Sequence, residues 1–359
     1  MNHFNLIAPI NQLGYGITGL NVAKSLSKIG RVSLWTLGNI DCPVNDAKEI
    51  SCLIKNRDIP NFEAPCVRIW HQNDMSQFVG NGLKIGFPIF ELDTFTEIEK
   101  IHLSHLDMLF VCSEWAKRVC IENGVVEKHS HHLVKVIPLG VDKDIFQPCE
   151  SSRKTTVFFN CGKWEIRKGH DLIVKAFNFA FTEDDDVELW MMCDNPFFSD
   201  VENKEWEELY LNSPLGSKIK IIPRQPTQKE VYNIMKETDC GVFPARAEGW
   251  NLELLEMLSC GKYIIATDYS GHTEFCDDKN SLLIAVEDKE EAFDGKWFHG
   301  QGNWAKLSDK DSELMSSMMQ SVYINKKSGS LPLNQEGIET AQKFSWQNTA
   351  EKIKNAVAT

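Results

Sequence analysis

Short apolar runs alternate with stretches of helical period along the whole chain. In the first half, Asn5 to Ile10, Arg31 to Thr36, Lys84 to Phe90, Met108 to Cys112 and Val134 to Leu139 read as strands. Leu20 to Ile29 and Thr94 to His105 carry helical spacing between them. The series then restarts. Thr156 to Cys161, Val187 to Met192, Ile219 to Ile222, Cys240 to Phe243 and Tyr263 to Ala266 read as strands, with helical spacing over Asp171 to Phe181, Gln228 to Glu237 and Leu252 to Ser259. Strand and helix in alternation predict parallel sheets covered by helices on both faces. The segment GVDKDIFQPCESSRK between the two series is polar and turn-rich, as a linker is. Residues 37 to 83 are polar and fit no regular pattern. Trp346 to Val357 is a helix with no evident neighbour to pack on.

Composition agrees with two soluble domains. A chain of 359 residues can bury two cores. Hydrophobic residues are 42% and charged residues 25%, which is ordinary for a globular protein. No apolar run approaches the roughly 20 residues that span a bilayer. The opening MNHFNLIAPINQLGYG lacks a basic leader and reads as a strand and a loop rather than a signal peptide. The 11 cysteines are scattered and odd in number, with no zinc-type pair. We read them as reduced thiols in a cytoplasmic protein.

The formal net charge is -13, and most of it falls after residue 150. Nucleic acid as a partner is disfavoured, because that needs a positive footprint. One local basic patch stands out in WAKRVCIENGVVEKHSHHLVK, with Lys117, Arg118, Lys128, Lys135 and three histidines. It is either a solvated helix end and loop or a rim for an anionic acceptor or a membrane surface.

Gly14, Gly16 and Gly19 spell G-x-G-x-x-G between a strand and a helix, and Asp41 follows at the distance of a ribose-binding acid. Asn11, Gln12 and Leu13 separate the strand from the first glycine, where that fingerprint wants a tight turn. Three readings stay open: close packing, a loop facing a phosphate or acceptor, and NAD binding by an oxidoreductase.

The second half carries the stronger signal. In FFNCGKWEIRKGHDLIVKAF a strand runs into a loop bearing Lys163, Arg167 and Lys168. In DCGVFPARAEGWNLELLEMLSCGKYIIAT a buried strand runs into a loop with Glu248 and Gly249, then a helix that stops at Gly261. The amides at that helix start suit a diphosphate, and Glu248 and Glu256 flank it as acceptors for hydroxyl groups.

EGWNLELLE, a Glu, seven residues and a second Glu, resembles the signature of retaining glycosyltransferase family 4, which has the GT-B fold. GKWEIRKG resembles the same family's Gly-Arg/Lys, four residues, Lys-Gly element. LFVCSEWAKRV, VIPLGVDKDIF, YSGHTEFCDDKNSLLI and FSWQNTAEKI look like further blocks in the family's order. The resemblance runs from about residue 84 to the end.

It implies an α/β GT-B fold, two Rossmann-like parallel-sheet domains facing across a cleft. The acceptor-side domain would span 1–143 plus a crossover helix at about 345–359, and the nucleotide-sugar domain 152–344. It implies a retaining hexosyltransferase that uses a nucleotide-diphosphate sugar as co-substrate; the acceptor stays open among glycan, glycolipid and protein. Glu248 would hold sugar hydroxyls and Glu256 the ribose. Lys163 and Lys168 would neutralise the leaving diphosphate. Amides of Trp250, Asn251 and Leu252 would complete the phosphate cradle, and Gly14 and Gly16 would let their loop approach the same phosphates. No metal or other cofactor is expected: the lysines supply the charge, and the acidic turn Asp184–Asp186 reads as surface.

Two features depart from the family. It often has Arg where Lys163 stands, which loses a planar bidentate fork. It often has a first-domain His facing the donor sugar, whereas here the strand GFPIF runs into Glu91. Glu91 is either the group in that place or a cap for the helix near Thr94. His71, in VRIWHQNDM, is the other candidate, or a satisfied structural histidine. Beside the transferase reading stand an oxidoreductase using the glycine loop and a non-catalytic sugar-nucleotide-binding protein.

Overall fold

The computed structural model describes residues 3–125 and 133–358. The chain divides into two compact units. The first comprises Met1–Val141, Ser270–Glu274 and Lys343–Thr359, and the second Asp142–Tyr269 and Phe275–Gln342.

The first unit is built on β1 (His3–Pro9), β2 (Arg31–Leu37), β3 (Cys66–Arg68), β4 (Lys84–Gly86), β5 (Met108–Val111) and β6 (Val134–Val136). They form one sheet in the order β2-β1-β3-β4-β5-β6, with every pair parallel. Its helices are α1 (Gly14–Ser27), α2 (Val44–Lys55), α3 (Glu97–Ser104) and α4 (Glu114–Glu122), joined by α11 (Trp346–Ala358) from the chain end. β1 is buried at every position but its first, as a strand covered on both faces must be.

The second unit holds β7 (Thr156–Gly162), β8 (Val187–Cys193), β9 (Ile219–Ile221), β10 (Cys240–Phe243), β11 (Tyr263–Thr267) and β12 (Leu282–Ile284). Their order is β12-β11-β10-β7-β8-β9, again all parallel. Around this sheet lie α5 (His170–Ala180), α6 (Asp200–Leu211), α7 (Gln228–Met235), α8 (Leu252–Ser259), α9 (Asp309–Lys327) and α10 (Gln335–Lys343). An antiparallel hairpin, β13 (Lys289–Phe293) and β14 (His299–Ala305), stands apart from the sheet. Phe158, Ile173, Phe177, Leu189, Val242 and Ile265 form the centre of the core.

The structure corrects several expectations. The run from Lys84 to Phe90 pairs only as far as Gly86, and that from Val134 to Leu139 only as far as Val136. Pro88 and Pro138 follow within two residues and have no N–H for a ladder. Residues 37 to 83 are not irregular: they hold α2 and the central strand β3. α2 buries only Ile50 and Leu53, so its apolar stripe is thin, and a three-residue strand has no visible period. The final helix does have a neighbour. α11 packs on α1, and the Thr349 hydroxyl donates to the Pro138 carbonyl at 2.7 Å.

The first-unit helix starts at Gly14, not Leu20, so all three glycines of the fingerprint lie inside α1. Intrinsic propensity argues against glycine in a helix, and close packing explains the exceptions. A Cβ on Gly16 would lie 2.2 Å from the Asn11 side chain, and one on Gly19 would lie 2.1 Å from the Pro9 carbonyl oxygen. Around Gly14 there is open space. Lys117 and Arg118 sit on α4 and Lys135 on β6. Lys128, His129, His131 and His132 of the basic patch lie outside the described residues.

Gly19→Ala should therefore destabilise the first unit by about 1–3 kcal/mol through overpacking. Gly14→Ala should leave stability unchanged or raise it by up to about 1 kcal/mol through helix propensity. Urea melts of the two variants check the contrast, and equal effects would contradict it.

Candidate active site

In the second unit the strand order reverses between β7 and β10. Chain connections leave in opposite directions there, so a crevice opens beyond the carboxyl ends of the two neighbouring strands. Residues 163–169 follow β7, and residues 244–251 follow β10.

The cations of the first loop turn inward. Arg167 and Lys168 lie in a short 3-10 turn, Ile166–Lys168, and both are buried. Lys168 Nζ is 2.8 Å from Glu248 Oε1, and Arg167 Nη1 is 3.0 Å from Glu248 Oε2. Arg167 also donates to the Ala247 carbonyl at 2.7 Å. Its far side meets Glu165: Nη2 lies 2.7 Å from Oε2. Glu165 Oε1 in turn is 2.8 Å from Lys163 Nζ. Charges thus alternate in sign along Lys163, Glu165, Arg167, Glu248 and Lys168. With three cations against two carboxylates, the row keeps a surplus positive charge, which suits an arriving anion.

Burial raises the carboxyl of Glu248, but the Arg167 and Lys168 charges overcome it and pull it down to about 2. Burial likewise works against the Lys168 ammonium, yet Glu248 and Glu253 hold it charged, above its usual range. Glu256, on α8, goes the other way. Burial first, then Glu253 and Asp142, push its carboxyl well above the usual range. The two glutamates of one motif therefore differ: Glu248 is an acceptor only, whereas a protonated Glu256 also donates.

The loop is braced from beneath. His170 Nδ1 accepts the Glu165 N–H at 3.1 Å, so the neutral ring carries its proton on Nε2, 3.0 Å from Asn160 Oδ1. Asn160 Nδ2 donates to the Val242 carbonyl, which ties the loop after β7 to β10. Burial, then the Lys168 charge, depress this imidazole to about 3. Gly162 has φ +136°, and a Cβ there would sit 3.1 Å from Lys168 Cε, so glycine leaves room for the lysine stem.

Asn251 caps α8. Its side chain accepts the Leu254 N–H at 3.2 Å, and it sits at φ +76°, a left-handed conformation that Asn tolerates better than most residues. Leu252 then starts the helix, and the Trp250 ring packs 4.8 Å from Phe275. Asp184–Asp186 form an exposed turn before β8. Among the described residues, no group of three or more His, Cys, Asp or Glu side chains converges as metal ligands do.

In the first unit, the candidates gather around a residue that sequence reasoning passed over. Tyr15, between Gly14 and Gly16, donates its hydroxyl proton to the Ile89 carbonyl at 2.8 Å and accepts the Ile89 N–H at 3.0 Å. Its ring is 4.7 Å from that of His71. Burial and then the Glu91 charge raise its phenol well above the usual range, which puts Glu91 within electrostatic reach. Glu91 does not cap the following helix: α3 begins at Glu97, and Thr96 and Glu99 form its capping box. Glu165, Asn160 and His170 were also missed, and Arg167 had been read only as one of three loop cations. A lone polar residue at the end of a strand carries no periodic signal.

Comparisons with known proteins bear on the fold and on the second unit. Residues 155–296 match the family model described as glycosyl transferases group 1. An uncharacterized glycosyltransferase of Methanocaldococcus jannaschii is 25% identical over 234 residues, which is 64% of this chain and 56% of that protein. Sucrose-phosphate synthase of Thermosynechococcus elongatus has a similar structure, with a TM-score of 0.70, 15% identity and 99% and 98% of the two chains covered. HepE of Anabaena, solved in complex with UDP-glucose, gives a TM-score of 0.66 at 13% identity, with 100% of each chain covered. The fold is GT-B, and the match to the group 1 glycosyl transferase model lies, Ser270–Glu274 apart, within the second unit.

The site makes stability pH-dependent with a definite sign. The folded Glu248 carboxyl is depressed from 4.5 to about 2, so its contribution is present above pH 4.5 and is lost as pH falls toward 2. The folded His170 is depressed from 6.5 to about 3, so the unfolded chain takes up that proton first, and stability falls from pH 6.5 toward 3. Urea denaturation at pH 7, 5 and 3.5 should show a continuous decline, and His170→Asn should remove its upper part. A profile flat from pH 7 to 5 would contradict the His170 assignment, and one flat between pH 5 and 3.5 would contradict the Glu248 assignment.

Proposed function

We propose that this chain is a retaining glycosyltransferase of family 4 that transfers a hexose-type sugar from a nucleotide-diphosphate donor. The observation that carries the reading is the buried pairing of Glu248 with Arg167 and Lys168 beside the start of α8. Cleavage of the bond between sugar and diphosphate places negative charge on the diphosphate and positive charge on the ring. The Lys168 ammonium, with Arg167 and Lys163 behind it, and the α8 amides would meet the first charge. Fixed groups of this kind stabilise the transition state more than the ground state. Glu248, held ionised, would accept hydrogen bonds from sugar hydroxyls, and Glu256 would bind the ribose. The UDP-glucose in the Anabaena structure is the kind of donor meant.

Phosphate neutralisation by lysines makes a metal unnecessary in this reading, so activity should survive a chelator. The acceptor is proposed to be a glycan, glycolipid or protein. The cysteines form no disulfide, which supports the cytoplasm as location. No helix among the described residues is long and apolar enough to cross a membrane.

A saturating nucleoside diphosphate should raise the melting temperature, because it binds the folded state only. No shift with UDP, GDP or ADP would remove the donor assignment. Lys168→Ala should lower kcat by at least ~100-fold with the fold retained, as loss of one preorganised electrostatic group does. Normal turnover in that variant would overturn the role.

Glu91 is proposed as the first unit's group at the reacting sugar, with His71 beside Tyr15 as the alternative. Glu91→Gln keeps shape and removes charge. A fall in kcat of at least ~100-fold is expected for a positioned charge. Full activity in Glu91→Gln together with a loss in His71→Ala would transfer the role to His71.

A further inference from the structure

A cavity of about 580 Å³ lies in the second unit, between α6 and the turn that joins β13 to β14. Phe198, Trp206 and Trp297 supply its aromatic walls, and Glu202, Glu205 and Asp294 its polar ones. Its volume is in the range of a small-ligand site, and its walls mix aromatic faces with charged side chains.

Three observations say what it would hold. The first is exposed aromatic surface. Trp297 and Phe197 are 42% and 53% exposed and pack edge to face with centroids 6.0 Å apart. Large flat side chains left in water at a cavity mouth mark a binding surface, and their faces match the C–H faces of sugar rings.

The second is rigidity. Asp294 Oδ1 accepts the backbone N–H groups of Lys296, Trp297 and Phe298 at 2.8–2.9 Å. The Gln301 amide donates to the Trp297 carbonyl at 3.0 Å. The turn that displays Trp297 is thus ordered in advance, which lowers the entropy lost on binding.

The third is charge. Glu165, Asp171, Glu202, Glu205 and Asp294 line the groove with Lys296; Lys163 and Arg167 offset Glu165, Arg246 offsets Asp171 and Lys296 offsets Glu202, which leaves Glu205 and Asp294 to set its sign. Lys296 lies 4.1 Å over the Phe198 ring and ion-pairs with Glu202, so the wall already accepts an ammonium. An anionic ligand is repelled. Carboxylates are hydrogen-bond acceptors for hydroxyl and ammonium groups.

We infer that this groove is a saccharide-binding site for neutral or amino-substituted chains, beside the donor site and sharing Glu165 with its charge row but not the Lys168–Glu248 pair. It adjoins the donor loop through Phe197, since Lys163 Nζ lies 5.4 Å over that ring. If the chain is a transferase, a glycan held here is tethered beside the reaction. The binding itself does not depend on that reading.

Isothermal titration of the whole protein, without donor, tests the inference with three tetrasaccharides of one β-1,4 skeleton. They are cellotetraose, the glucosamine tetramer and tetraglucuronate. The first two should bind saturably and the third should not. Trp297→Ala should weaken binding at least tenfold. Glu205→Gln, an exposed change that does not threaten folding, should weaken the glucosamine tetramer more than cellotetraose. Saturating UDP should not compete. Absence of binding by both cellotetraose and the glucosamine tetramer would overturn the inference. So would unchanged affinity in both variants, equal binding of tetraglucuronate, or displacement by UDP. The nucleotide melting shift reads the donor site alone, so failure of one assignment is distinguishable from failure of the other.

Discussion

Everything in the second unit's site depends on one constraint: buried charges must be compensated within a few ångströms. Removing an ion from water costs several kcal/mol, and a partner in good geometry must offset it. Glu248 meets this condition twice, through Arg167 and Lys168. Arg167 must then be shared with Glu165, and Glu165 with Lys163. Moving any one of these side chains shifts the balance of the others, although Glu248 keeps one partner when the other is lost. The backbone is therefore fixed as firmly as the charges, by His170 and Asn160 below the loop and by Asn251 at the head of α8.

The same physics separates the two glutamates of the EGWNLELLE segment. Both are buried, but only Glu248 faces cations. Glu256 is buried beside Glu253 and Asp142, which push its carboxyl above the usual range. One motif thus presents two carboxyls shifted in opposite directions, one in the loop before α8 and one within it. In the first unit Tyr15 has a comparable organising role. Its hydroxyl both donates to and accepts from the backbone of Ile89, and its ring packs on His71, so the chain segments after β3 and β4 share one anchor.

Much of this architecture was legible in the sequence. The limits of α8 and β10 were read to the residue, because a continuous buried run bounded by polar loops leaves little latitude. The failures have physical causes. β3 is too short to show a period, and α2 buries too little. The start of α1 was placed late because propensity opposes glycine there, while close contact with Asn11 and Pro9 demands it. A cap role for Glu91 is open in the sequence, whereas in the structure Thr96 and Glu99 cap α3.

By itself the sequence determined the alternation of strands and helices, the two sheet-forming series, and the loops in which the chemistry resides. Those properties follow from local hydrophobic period and from spacing along the chain. Only the tertiary structure decided which charge meets which, and hence which carboxyl is ionised. It also decided that Arg167 and Glu165 join the charge row of the candidate site, and that α6 and a hairpin far along the chain flank an open groove. These properties depend on distances between segments about eighty or more residues apart, as with Lys168 and Glu248. Electrostatic energy varies with such distances and with burial, and neither is written in the local pattern.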